Sequence, residues 1–186
     1  FSKGILERDL LGRPYKIYGY HKNINEKKEL EERLSSLAYF DRLTETFNKE
    51  RISLEFYSLT CVKNKENIAF FLINIDDFGY INNTIGYTQG NELLRKFATF
   101  LKFRYGDDYV SRINEDEFLI LYPYKNIPNI EEEISDLFYE VNFQNFIDIH
   151  NIFISISAGI SIYMKDSENF DELFKSSTFI YGYFPV

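Results

Sequence analysis

The chain has 186 residues, a net charge of −8 and a pI near 4.9, with 45% hydrophobic and 27% charged residues. That length builds one well-packed core with a helical appendage. The acidic balance excludes the basic footprint a nucleic-acid partner requires and argues against an anionic membrane surface, while a nucleotide stays compatible, held by metal, local Lys/Arg or backbone N–H groups. The single cysteine, Cys61, rules out an intrachain disulfide or a cysteine metal cluster and reads as a semi-buried thiol on a helix. His21 and His150 lack metal-ligand spacing. No run approaches the ~18–20 apolar residues that span a bilayer, and no leader pattern is present. The expectation is a soluble, cytoplasmic domain, with any membrane anchor elsewhere in the protein. The chain starts at Phe1 and its only Met is Met164, so a fragment of a longer protein is expected. The 18% aromatic content reads first as compositional bias and second as a ligand-stacking surface.

In chain order, Phe1–Asn25 is short and rich in charge, with a turn at Gly12-Arg13-Pro14 and a strand over Tyr15–Tyr20. Ile24–Phe40 reads as a charged helix with Asn25 able to cap it and Leu30, Leu34 and Leu37 on one stripe. Lys49–Lys63 is amphipathic and helical. Ile68–Ile75 (IAFFLINI) is a continuous apolar run, the pattern of a strand buried on both faces. Gly90–Arg104 returns to helical spacing. Tyr109–Ile113 and Glu117–Tyr122 form a hairpin, and Pro123 and Pro128 bracket a loop. Helix Ile130–Phe143, strand Ile152–Tyr163 and helix Phe170–Ile180 complete the chain. The order β-α-β-β-α-β, then α, is an α+β, ferredoxin-like split βαβ arrangement, with a mostly antiparallel sheet and helices on one face.

Two polar loops fall at the ends of neighbouring buried strands: Asn74-Ile75-Asp76-Asp77 and Asn114-Glu115-Asp116-Glu117. Converging carboxylates repel unless cations or protons offset them. Phosphoryl-transfer sites use that arrangement to hold Mg²⁺ against a triphosphate. The bland alternative is that these acids decorate solvated turns.

Four segments then resemble one family. Leu37–Asn48 (LAYFDRLTETFN) is similar to the L-A-x-x-D-x-L-T-G-L-x-N entry of GGDEF domains, the fold of bacterial diguanylate cyclases. Phe70–Leu94 resembles their D-x-D-x-F-K-x-I-N-D-x-x-G-H-x-x-G-D-x-L-L block. Ser111–Tyr122 (SRINEDEFLILY) resembles the R-x-G-G-D-E-F hairpin, and Ile154–Tyr163 the closing strand. The resemblance implies a nucleotide-cyclase-like fold in which two subunits each hold one GTP with two Mg²⁺ and condense them to cyclic di-GMP. Arg8–Glu26 also resembles the C-terminal end of a PAS sensor domain.

Carried onto this chain, the resemblance gives metal positions Asn74, Ile75 (through its backbone), Asp76 and Asp116. The nucleotide positions are Asn82, Asn91, Asn114 and Glu115, and Glu117 is a vestigial catalytic acid. Several positions depart from the family. A metal-binding Asp becomes Asn74, a phosphate-binding Lys becomes Gly79, and a guanine-contacting Asp becomes Asn91. The two hairpin glycines become Asn114 and Glu115, of which Glu115 tolerates positive φ poorly and adds a carboxylate. The product-inhibition pair R-x-x-D keeps Asp108 but has Tyr105 in place of its Arg. Losing one charge-stabilising group costs roughly 10²–10³ in rate.

Three readings follow. The first is a degenerate, regulatory GGDEF domain that binds GTP weakly and controls an attached EAL phosphodiesterase or other output domain. The second is a weakly active Mg²⁺-dependent diguanylate cyclase. The third is a ligand-free dimerisation and signal-relay module. The expected organisation is a PAS-like remnant over 1–25, a signalling helix over 26–40 that pairs in a homodimer, and the degenerate domain over 41–186.

Overall fold

The computed structural model describes residues 2–21, 23–25, 27–28, 38–62, 67–143, 146 and 154–178. The chain divides into two compact units, 1–37 and 38–186. In the first, β1 (Ser2–Arg8) and β2 (Pro14–His21) pair as an antiparallel hairpin. Gly12 takes a φ of 79° at its tip, and the Asp9 carboxylate accepts from the Leu11 and Arg13 amides. The turn is where the sequence puts it. Strand β1 is an addition, masked in the sequence by Lys3, Gly4, Glu7 and Arg8. The helix expected over Ile24–Phe40 lies mostly outside the described residues, Leu30, Leu34 and Leu37 included; Asn25, Lys27 and Lys28 are helical.

The second unit contains α1 (Lys49–Tyr57), β3 (Ile68–Ile75), α2 (Phe78–Ile85) and α3 (Tyr87–Tyr105). These are followed by β4 (Val110–Arg112), β5 (Glu117–Pro123), α4 (Ile127–Phe143), β6 (Ile156–Ile162) and α5 (Phe170–Ser177). The strands form one sheet in the order β4-β5-β3-β6, antiparallel at every neighbour. This is the expected split βαβ topology. Asn48 caps α1 by accepting from the Arg51 amide, and Asn169 caps α5 by accepting from Asp171 and Glu172. Helix α1 runs into a single π turn, Ser58–Val62.

Strand β3 is buried on both sides, and its alternation sorts the core into two layers. Phe71, Ile73 and Ile75 face Leu93, Phe97 and Leu101 of α3 and Ile134 and Leu137 of α4. Ile68, Phe70 and Leu72 face Ile52 and Phe56 of α1 and Phe170 and Leu173 of α5. The expectation of helices on one face is therefore corrected: α1 and α5 cover the second face, as the unbroken apolar run of β3 requires. Buried phenylalanines are prominent in both layers. Phe56 meets Phe70 edge-on at 5.3 Å, and Phe97 meets Phe118 at 5.3 Å.

Other expectations shift locally. Helix α2 was not anticipated, because Gly79, Asn82, Asn83 and Thr84 are poor helix formers; burial of Phe78 and Ile81 holds it. Pro128 sits in the first turn of α4 rather than bounding a loop, a position where its missing N–H costs nothing. Cys61 is exposed, not semi-buried.

The segment Ala38–Asn48 enters this unit as a wide turn. Asp41 accepts from the Leu43 and Thr44 amides and the Thr44 hydroxyl. Glu45 takes a φ of 56°, at the place where the resembled motif has Gly. A side chain in that conformation costs about 1 kcal/mol. Glu45→Gly is expected to raise stability by roughly that amount, read as a higher urea midpoint with an unchanged slope.

Candidate functional site

The two polar loops do meet at one end of the sheet. Asn74 stands opposite Glu117 on β5 and Ser157 on β6, so these side chains share one face. The Ile75 amide donates to the Asp116 carbonyl at 3.3 Å, stitching β3 to the hairpin turn. Inside the turn, the Asn114 side-chain amide donates to the Glu117 carboxylate. The turn is braced by Arg112, whose Nε and Nη2 both reach the Glu115 carbonyl, at 3.2 and 2.6 Å.

Neither Asn114 nor Glu115 is among the positive-φ residues. The expected backbone strain at Glu115 is thus absent, and the turn closes in ordinary φ/ψ space. Its burden is electrostatic instead. Burial, and then the carboxylates of Glu117 and Glu115, push the Asp116 carboxyl above its ordinary value; Arg112 offsets only part of this. A carboxyl whose folded pKa is raised costs stability once the pH exceeds its unfolded value. Asp116→Asn is therefore expected to stabilise the fold at pH 7 by up to about 1 kcal/mol. The gain should shrink as the pH falls from 7 to about 4, the ordinary carboxylate range, because the raised folded-state pKa lets the folded chain take up this proton before the unfolded one. Urea unfolding at the two pH values measures it.

Asp76 does not point its carboxylate freely at the hairpin: the Ser157 hydroxyl donates to it at 2.6 Å. Asn74 presents a neutral amide whose Oδ1 is buried without a partner. The donors offered to Mg²⁺ are thus one amide, the Ile75 backbone, an Asp already engaged, and Asp116. This set does not fit a pair of Mg²⁺ ions. Among the described residues no three His, Cys, Asp or Glu side chains gather closely enough to hold a metal.

Helix α2 begins directly after this strand end, with Asp77 in a left-handed conformation before it. Gly79 lies in its first turn, and a Cβ added there meets nothing within 4 Å. Asn82 is turned toward α3. A Cβ on Gly90 would lie 1.8 Å from the Asn82 Oδ1, an atom that is buried and unpartnered. Asn91 is exposed one residue further on.

The Tyr105 and Asp108 positions do not join this site or each other. Asp108 is exposed on a 3₁₀ turn. The Tyr105 hydroxyl donates to Glu133 on α4 at 2.8 Å. Burial, and then the Glu133 charge, push that phenol well above its ordinary value. Arg104 bridges Glu133 at 2.7 Å and Glu140 at 2.5 Å. Its guanidinium stays protonated because these two carboxylates more than offset its burial. Sequence reasoning missed Ser157 and the Glu133 cluster: a hydroxyl on a strand and acids on a helix carry no motif.

The family model described as "Diguanylate cyclase, GGDEF domain" matches residues 38–178, nearly the whole second unit. Signaling protein YkoW of Bacillus subtilis (strain 168) is 28% identical over 172 residues, covering 87% of this chain and 21% of that protein. Diguanylate cyclase DgcM of Escherichia coli (strain K12) is 28% identical over 177 residues, covering 87% of this chain and 41% of that one. The chain therefore spans well under half the length of these curated relatives. The coiled coil and GGDEF domain of DgcB from Caulobacter crescentus, solved in complex with c-di-GMP, superposes with a TM-score of 0.70 at 16% identity, covering 83% of this chain and 84% of that one. The split βαβ sheet, the acidic hairpin at its end and the matched span agree: the chain belongs to the GGDEF domain family of cyclic di-GMP signalling proteins.

Proposed function

We propose that this GGDEF domain has lost cyclic di-GMP synthesis and acts as a regulatory module, binding GTP weakly and controlling an attached EAL phosphodiesterase or another output domain. One observation carries the reading. At the sheet end a neutral Asn74 faces Glu117, while Asp116 is pushed toward protonation by burial and by the carboxylates on either side. With a metal carboxylate lost at Asn74 and a carboxylate added at Glu115, the site would hold a triphosphate–Mg²⁺ complex only weakly and not in the two-metal form. Gly79 supplies no cation toward the phosphates.

A second reading, a weakly active cyclase, is favoured by the buried, unpartnered Oδ1 of Asn74. That atom is an acceptor a bound cation would satisfy. Titrating GTP with and without Mg²⁺ against thermal unfolding of the chain, with cyclic di-GMP in parallel, tests the regulatory reading. The expected result is a Mg²⁺-dependent rise of about 2–4 °C at millimolar GTP. No shift at any concentration would sink the GTP-binding half of it and favour the ligand-free relay. With Tyr105 bonded to Glu133, the site for inhibitory product is read as lost, and cyclic di-GMP should give no shift.

Residues 1–25 are read as the end of a PAS-like sensor domain, 26–40 as a signalling helix that pairs in a homodimer, and 41–186 as the GGDEF domain, in a cytoplasmic setting. Hairpin β1–β2 supports the first of these. It exposes Ile5 and Tyr18 on one side and Leu6 and Ile17 on the other, and two strands alone are marginal in water. A larger sheet would cover both sides. No helix among the described residues is long and apolar enough to cross a membrane.

A further inference from the structure

Helices α2 and α3 are joined by Gly86 alone, whose φ of 84° turns the chain sharply. The Gly86 amide donates to the Asn82 carbonyl at 2.9 Å, and the Gly90 amide donates to the Gly86 carbonyl at 3.1 Å. This corner lays the Asn82 side chain against α3 where that helix has no side chain of its own. A Cβ at Gly90 would lie 1.8 Å from the Asn82 Oδ1 and 3.0 Å from its Cγ. That Oδ1 is buried with no donor, a costly state that a ligand amino group would relieve. The next residue, Asn91, is exposed. One turn before it on the same face of α3 stands Tyr87, 72% exposed. The corner thus offers an orphaned acceptor, an exposed amide and an open aromatic ring.

A side-chain amide carries one donor and one acceptor side by side. Its complement is a base edge with an amino donor beside a ring-nitrogen acceptor, which is the edge of adenine. Guanine presents two adjacent donors, N1–H and the 2-amino group. A carboxylate accepts from both, whereas an amide sets its own N–H against one of them. From this arrangement we infer that the corner takes adenine in preference to guanine, with Asn91 as the residue that sets the choice, so that the ligand of this domain is an adenine nucleotide. The inference rests on the reading of the domain as a nucleotide-binding module and deepens it. Gly79 brings no cation to the phosphates, so contacts to the base carry a larger share of the affinity. Tyr87 gives stacking area that serves either purine. The Asn82 Oδ1 accepts from an amino group, which both purines carry. Asn91 alone asks for a different edge from each.

The test titrates the ¹⁵N-labelled chain with ATP, GTP and CTP, each with Mg²⁺, and follows the amides of Gly86, Gly90 and Asn91. The three ligands share their triphosphate, so any difference between them reads the base. ATP is expected to bind about tenfold tighter than GTP. It should also bind tighter than CTP, which has the same donor–acceptor edge but a smaller ring to stack. Asn91→Asp, at an exposed position where substitution leaves the fold intact, is expected to reverse the order of ATP and GTP. Tyr87→Ala should weaken both purines alike and leave their ratio unchanged. GTP binding as tightly as ATP to the native chain would overturn the inference and leave the nucleotide-binding reading standing. So would an equal loss of both in Asn91→Asp, the mark of a merely structural role, or CTP matching ATP. If no nucleotide moves these amides, the inference and the nucleotide-binding reading fall together.

Discussion

Gly159→Ala is expected to destabilise the second unit by about 3 kcal/mol and to lower its unfolding temperature by roughly 6–12 °C. The cause is a backbone collision. A Cβ on Gly159 would lie 1.6 Å from the Ser177 carbonyl oxygen and 2.7 Å from its carbon. Backbone cannot rotate away as a side chain can, so α5 must lift from β6. That lift also strains the bond from the Ser161 hydroxyl to the Leu173 carbonyl at 2.8 Å and opens the layer formed by Phe70, Phe56 and Phe170. Thermal unfolding followed by circular dichroism measures the loss. A change below 1 kcal/mol would show that α5 does not pack on β6 at this distance.

The second large effect belongs to Glu133. Its Oε1 takes both the Arg104 Nε and the Tyr105 hydroxyl, tying the end of α3 to α4. Glu133→Ala leaves a half-buried guanidinium with Glu140 alone and a partly buried phenol without the Glu133 acceptor. The expected cost is about 2–3 kcal/mol, below the value for a fully buried pair because Arg104 and Glu133 keep 16% and 19% side-chain exposure. Replacing both partners, as Glu133→Leu with Arg104→Met, should recover most of the loss, since no unpaired charge remains. The same cluster gives a pH signature. Tyr105 has its folded pKa raised above the unfolded value. Its contribution is fully present below about pH 10 and falls away as the pH rises beyond it, because the unfolded chain releases the phenolic proton first. Tyr105→Phe should flatten the alkaline limb of the stability profile.

How much of this was legible without coordinates differs from element to element. The run Ile68–Ile75 marks β3 to the residue, because an unbroken apolar octet has few other homes. Helix α4 was visible from Ile134, Leu137, Phe138 and Val141, which the structure buries. Helix α2 was not visible, since its residues favour turns and only tertiary burial of Phe78 and Ile81 makes it helical. The acids of the strand-end site were legible as a motif, and their convergence followed from strand order. The partners those side chains take were not legible. Ser157 binds Asp76, and Asn114 turns back onto Glu117. The turn carries Asn114 and Glu115 without positive φ, so the substitution of the glycines changes charge and access rather than backbone strain.

Regulation without turnover is tested by incubating the chain with GTP and Mg²⁺ and looking for cyclic di-GMP by chromatography. No product is expected from the native chain. Measurable product is expected once Asn74→Asp, Gly79→Lys and Glu115→Gly are introduced together; the open space around Gly79 admits the lysine. Detectable cyclic di-GMP from the native chain would contradict regulation without turnover.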